Sequence, residues 1–129
     1  MEYILNGYLW RIHFINSNSD LLRRSDGTLT VGMCDGNTCD IYLSDKLRGG
    51  FLRKVLLHEV CHSAVFSFGI ELSIDEEERL CDFVATYCDD IVGTVNNMLD
   101  VIRLIAWSNV FFNTVYNMSN LLRRVAWEY

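Results

Sequence analysis

The stretch LLHEVCHSAVF, residues 56 to 66, decides how this sequence folds. Two of the chain's three histidines, His58 and His62, lie four positions apart here, and Glu59 follows the first. Residues four apart share one face of an α-helix, so a helix would bring both imidazoles to a single ion. The residues from Phe51 to Phe68 are apolar almost all round, which predicts a central helix covered on both sides.

The polar residues of this helix are the ones that a catalytic metal site requires. Zinc favours nitrogen ligands in a tetrahedron and, when it is catalytic, keeps one position for water. Glu59 lies about a third of a turn from His58 and can reach that water as a general base. Polar side chains are costly to bury in an apolar helix unless something satisfies them. The pattern therefore predicts that His58 and His62 bind Zn²⁺ and that Glu59 is the catalytic base.

A third ligand should come from the element that follows this helix. Gly69 is a natural end for the first helix, and Ser73 opens a capping box for the next one. The acidic and thiol side chains early in that next helix are the candidates: Asp75, Glu76, Glu77, Glu78, Cys81 and Asp82. Glu78 and Asp82 lie one turn apart on the expected inward face, so one of these two residues is the predicted ligand.

The sequence before about residue 47 contains short alternating runs, separated by turn signals. Alternation between apolar and polar residues predicts three strands: Tyr8 to Ile15, Thr28 to Cys34 and Asp40 to Asp45. The run Asp35-Gly36-Asn37 is typical of a hairpin, which predicts an antiparallel pairing of the last two strands. The result would be a small sheet.

The rest of the chain has a helical pattern. The capped helix is expected to run through Tyr87, with Gly93 as a break, and a last amphipathic helix is expected from about Val101 to Trp127. We predict an α+β fold in one domain, residues 1–129. Its parts would be a sheet region (1–47), the active-site and third-ligand helices (48–92) and a C-terminal helical region (93–129).

Composition narrows the classes of partner. The formal net charge of −6 argues against nucleic acid, because phosphate binding requires clustered Lys and Arg. No stretch has the apolar length needed to cross a bilayer, and the N-terminus lacks the pattern of a signal peptide. The five cysteines are therefore expected to be reduced thiols, and the protein is expected to be cytoplasmic and not bound to a membrane.

Two segments together resemble a known family. VLLHEVCHS (55–63), followed by EERLCDFVATY (77–87), is similar to the ImmA/IrrE-type HExxH zinc metallopeptidases of phages and mobile elements. Those proteins carry a glutamate ligand in a pattern like E-x-x-A-N-x-F-A. Here the pattern runs from Glu78 to Ala85, with Cys81, Asp82 and Val84 as departures. The resemblance, which covers about residues 8–92, implies Glu78 as the third ligand and leaves Asp82 as the alternative.

The resemblance also implies a function. It suggests a zincin-like fold and a zinc-dependent metalloendopeptidase whose substrate is a protein or peptide, such as a phage repressor. In zincins an edge strand holds the substrate, which here would be Thr28 to Cys34 or Asp40 to Asp45. Tyr42 and Tyr87 are candidate donors to the oxyanion of the reaction. Two alternatives are a non-catalytic zinc-binding sensor and a helical protein-interaction module that uses the C-terminal helix.

Overall fold

The protein combines one mixed β-sheet with two α-helices. Its computed structural model describes residues 1 to 127. The elements, in chain order, are β1 (Glu2–Leu5), β2 (Tyr8–Ile15), a 3-10 turn (Asp20–Leu22), β3 (Gly32–Asp35), β4 (Asp40–Ser44), α1 (Gly49–Ser67) and α2 (Ile74–Trp127). The predicted α+β fold class is confirmed.

The sheet has the strand order β1-β2-β4-β3. β3 and β4 pair antiparallel as predicted, whereas β2 and β4 pair parallel. The prediction that a strand begins at Thr28 is wrong, because β3 begins at Gly32. β1 was not predicted, although a hairpin signal precedes β2. Asn6 and Gly7 have positive φ angles of 47° and 84°, which suits a two-residue turn between twisted strands.

The core lies between the sheet and α1. Its buried apolar residues are Trp10, Ile12, Ile41, Leu43, Leu47 and Val55. The alternation in the sequence predicts one apolar face of β2, with Trp10, Ile12 and Phe14, but Phe14 near the end of the strand is half exposed. Packing against this core places α1 beside β3 and β4.

The most buried positions of α1 are largely polar, although its sequence predicted an apolar helix. Val55, Glu59, Ser63 and Ser67 are buried at helical spacing of four. Ser63 Oγ donates to the Val60 carbonyl oxygen and lies 2.7 Å from the Tyr3 hydroxyl. Trp10 Nε1 donates to Ser67 Oγ at 2.9 Å. These contacts satisfy the buried hydroxyl groups, so their burial carries no uncompensated cost.

The predicted break at Gly93 and the separate last helix are wrong. α2 is continuous from Ile74 to Trp127. A helical Gly costs about 1 kcal/mol relative to Ala, which is too little to end a helix that good helix formers flank. The predicted capping box is confirmed, since Glu76 N donates to Ser73 Oγ and Ser73 N donates to Glu76 Oε2.

The chain divides into two compact units, Met1–Cys88 and a second that begins at Asp89. In the second unit, large apolar side chains are exposed; examples are Ile102, Leu104, Trp107, Phe111, Phe112 and Leu122. Within residues 1 to 127, neither helix contains a stretch long and apolar enough to span a membrane. The predicted domain and its C-terminal region (93–129) also include Glu128 and Tyr129, which lie outside the described residues.

A buried carboxylate joins β2 and β4 on the face of the sheet that carries Arg11 and His13. Asp40 Oδ1 accepts hydrogen bonds from His13 Nε2 at 2.8 Å and from Arg11 Nε at 3.0 Å. These two bonds, with that of His13 contributing most, lower the pKa of Asp40 from 3.8 to about 2. The ionised carboxylate therefore stabilises the folded state.

We expect Asp40→Asn to lower the free energy of unfolding by about 1–2 kcal/mol at pH 7, because two charge-assisted hydrogen bonds are weakened. The pKa of Asp40 is lower in the folded state, so this contribution is complete above about pH 4 and is lost as the pH falls through about 2. Urea unfolding of both proteins between pH 2 and 7 measures the difference, with Asp45→Asn at an exposed site as the control. A difference that stays constant with pH would contradict this assignment.

Candidate metal centre

The turn between α1 and α2 brings their polar residues together. Gly69 ends α1 with a positive φ of 62°, a conformation that few residues other than glycine adopt. Gly69 N donates to the Phe66 carbonyl oxygen, and Ile70 N donates to that of Val65. The chain then enters α2 at Ile74, and the side chains of its first turns reach the histidines of α1.

Three predicted ligands converge on one point. The Nε2 atoms of His58 and His62 are 3.1 Å apart, and the two carboxylate oxygens of Glu78 lie 3.3 and 3.4 Å from them. Ligands of tetrahedral zinc, each about 2.0–2.1 Å from the ion, are separated from one another by about 3.3–3.4 Å. His58, His62 and Glu78 can therefore hold a metal ion.

The second nitrogen of each histidine also has a carboxylate partner. His62 Nδ1 lies 2.7 Å from Glu77 Oε1, and His58 Nδ1 lies 3.0 Å from Asp82 Oδ1. A carboxylate accepts a hydrogen bond from Nδ1–H, which fixes the tautomer and leaves the lone pair on Nε2. Asp82, the alternative ligand, thus contacts the nitrogen of His58 other than the one that faces Glu78. Glu77 was predicted only as a candidate ligand; the sequence favoured Glu78 as the ligand but did not predict the contact of Glu77 with His62.

This hydrogen bonding makes the centre of the cluster rich in electron pairs. When Nδ1 is the donor in both rings, the two Nε2 lone pairs point toward each other and toward the Glu78 carboxylate. Such groups repel at 3.1–3.4 Å unless a proton or a cation lies between them. A proton can bridge only two of these atoms, whereas a divalent cation contacts all three groups at once.

Glu59 lies beside the cluster and is 6% exposed. Burial raises the pKa of its carboxyl group to about 7; the nearby Glu78 carboxylate also raises it, and His62 lowers it. A general base is most effective when its pKa is near the working pH. The β3 backbone approaches Glu59 closely, because a Cβ atom on Gly32 would lie 2.7 Å from Glu59 Oε1.

The cluster opens into a cavity of about 1010 Å³ between α1, β3 and the start of α2. Its lining includes His58, Glu59, His62 and Glu78, together with residues of β3. The two predicted oxyanion donors are not among the lining residues. Tyr42 stacks on His13 with ring centroids 5.2 Å apart, and Tyr87 contacts Phe83.

The chain matches no protein-family model, no curated protein and no solved structure. The resemblance to the ImmA/IrrE-type metallopeptidases therefore stays a prediction, and so does the enzyme class that it implies. Conclusions about function depend on the geometry of this chain's own residues.

The close approach of Gly32 to α1 predicts that a methyl group there is not tolerated. In Gly32→Ala the new Cβ atom would lie 2.7 Å from both Glu59 Oε1 and Val55 Cγ1, so Glu59 and the core must shift. We expect a loss of about 1–3 kcal/mol in the free energy of unfolding, measured by urea denaturation.

Gly50→Ala is the matched control, because a Cβ atom at Gly50 meets nothing within 4 Å. The same methyl group there should leave stability unchanged or raise it by up to about 1 kcal/mol. Equal stability of the two variants would show that β3 and α1 are not packed as described.

Proposed function

We propose that this protein is a zinc-dependent metalloendopeptidase. His58, His62 and Glu78 hold the ion, and Glu59 is the catalytic base. The observation that carries the proposal is the convergence of three ligand atoms at tetrahedral spacing, with a buried carboxylate beside them. A purely structural zinc site fills its fourth position with a protein ligand and has no use for such a base.

Each group has a distinct role in the proposed reaction. When bound, zinc supplies Lewis-acid chemistry, which acidifies water and polarises a carbonyl group. The Glu59 carboxylate accepts a proton from the water that attacks the peptide carbonyl and then delivers it to the leaving amine. Glu77 and Asp82 orient the two imidazoles through their Nδ1 atoms.

The position of β3 in the sheet is consistent with a peptide as the substrate. β3 lies at the edge of the sheet and, among residues 1 to 127, pairs only with β4, so an extended peptide can add to its open side. Of the two strands considered from the sequence, β4 is paired on both sides and β3 is the one that lines the cavity. By the resemblance, we take the substrate to be a regulatory protein such as a phage repressor, cleaved in the cytoplasm.

Zinc content tests the ligand assignment. The wild-type protein should bind one zinc ion per chain, and His58→Ala, His62→Ala and Glu78→Ala should lose it, because each removes a ligand. Asp82→Asn and Glu77→Gln should weaken binding by about 10- to 100-fold, because they loosen the imidazoles without removing a ligand. Elemental analysis and competition with a chromogenic chelator give these values. Full zinc affinity in Glu78→Ala would show that another residue is the third ligand.

Glu59→Gln separates catalysis from metal binding. The amide keeps the size of the side chain but cannot take a proton, so we expect full zinc content and a cleavage rate at least about 10²-fold lower. Release of peptides from casein, followed by mass spectrometry, measures the rate.

The other outcomes of these measurements favour different functions. Zinc binding without any cleavage by the wild-type protein would favour the sensor alternative. If the purified protein contained no metal and its thermal stability were unchanged in chelator, the helical interaction module would be favoured and the peptidase excluded.

A further inference from the structure

The cavity beside the proposed metal centre has two ends that can be told apart, because β3 and α1 lie side by side along it. A Cβ atom on Gly32 would meet Val55 and Glu59, whereas one on Gly36 would meet Phe66. The path from Gly32 through β3 to Gly36, the residue after the strand, is about 13 Å long at the rise of a strand. It therefore runs in the same direction as α1, toward the C-terminal end of that helix. The two histidines lie between these ends, so an extended peptide would pass the metal centre with neighbours on both sides.

The end near Phe66 is apolar and exposed. Phe66, Ile70 and Ile74 line this part of the cavity with exposed fractions of 44%, 49% and 81%, although each is a large apolar residue. Phe66 is held in place by edge contacts with Tyr8 and Trp10, whose ring centroids lie 5.4 and 5.8 Å away. An apolar side chain of a bound peptide would remove this surface from water without requiring the ring to move.

The opposite end is cationic. Arg24 lines the main cavity, and with Lys54 it also lines a smaller one of about 180 Å³ that meets the first at His58 and Glu59. Among residues 1 to 127, neither cation forms a salt bridge; Arg24 Nη2 donates to Thr30 Oγ1 at 3.5 Å, and the charge of Arg24 lowers the pKa of the Glu59 and Asp26 carboxyl groups from a longer distance. The carboxylate of Asp82 also borders the smaller cavity, but it is paired with His58 Nδ1.

We propose that this cleft selects peptide segments with a bulky apolar side chain on one side of the scissile bond and an acidic side chain on the other. The apolar side chain contacts Phe66 and Ile70, and the acidic side chain pairs with Arg24. The inference rests on the proposed function, whose substrate class it makes specific. Its support is the charge complementarity at one end of the cleft and the exposed apolar wall at the other.

Short labelled peptides test this specificity by binding. The probes are fluorescein-labelled Ala-Asp-Ala-Ala-Ala-Leu-Ala and Ala-Leu-Ala-Ala-Ala-Asp-Ala, which place both side chains on one face of an extended peptide, four residues apart, in both chain directions. Zinc-loaded Glu59→Gln protein is used, so that binding is measured by fluorescence anisotropy without turnover. In the peptide that binds more tightly, replacing Leu with Ser should raise Kd about 10-fold or more, and replacing Asp with Lys should raise it about 5-fold.

A charge reversal at Arg24 tests whether this residue causes the preference for an acidic side chain in the peptide. Adding Arg24→Glu should reverse the order of the Asp and Lys peptides and leave the effect of Leu→Ser unchanged. Arg23→Glu is the matched control, because it makes the same change of charge next to Arg24 at a residue outside the cavity lining. Phe66→Ser should remove the preference for Leu over Ser and leave the charge preference intact.

These outcomes separate the inference from the proposed function. Equal binding of the Asp and Lys peptides, or a reversal by Arg23→Glu as well, would overturn the specificity even if the wild-type protein cleaved peptides. Selective binding with no cleavage of the same peptides by zinc-loaded wild-type protein would support the recognition and refute the peptidase.

Discussion

Hydrogen bonds from the sheet to Ser63 and Ser67 fix the rotation of α1, and the candidate metal centre depends on that rotation. Tyr3 and Trp10 bind these two hydroxyl groups on the side of the helix that faces the sheet. Successive helical residues are turned by about 100°, so a rotation of one position would move the histidines out of reach of α2. A purely apolar stripe would pack there with less angular preference, because hydrophobic burial is not directional.

The same rotation explains why Glu59 is buried while the histidines remain accessible. Glu59 belongs to the buried stripe with Val55 and Ser63, and it lies against Gly32 of β3, where a larger residue would collide with it. His58 and His62 lie to one side of the stripe and face the cavity. Burial of the base and access to the ligands are thus two consequences of a single packing arrangement.

The sequence predicted those features that depend on interactions between residues close together in the chain. The helix with the HExxH motif, its end at Gly69 and the capping box at Ser73 depend on nearby residues and were predictable. The assignment of Glu77 to His62 was not, because it depends on the path of a turn that joins two helices. The continuity of α2 was also missed: Gly93 lowers helix propensity, but its neighbours outweigh that effect.

The candidate metal centre also brings several carboxylates close together. Glu59, Glu77, Glu78 and Asp82 lie around the two imidazoles, with Arg24 as a further cation near Glu59, and burial nevertheless raises the pKa of Glu59. A divalent cation at the three converging atoms would offset this excess of negative charge and would replace the repulsion between the Nε2 lone pairs with coordination. Binding of the proposed ion would therefore be coupled to folding of the first unit, and it would stabilise the turn at Gly69 that brings α2 to α1.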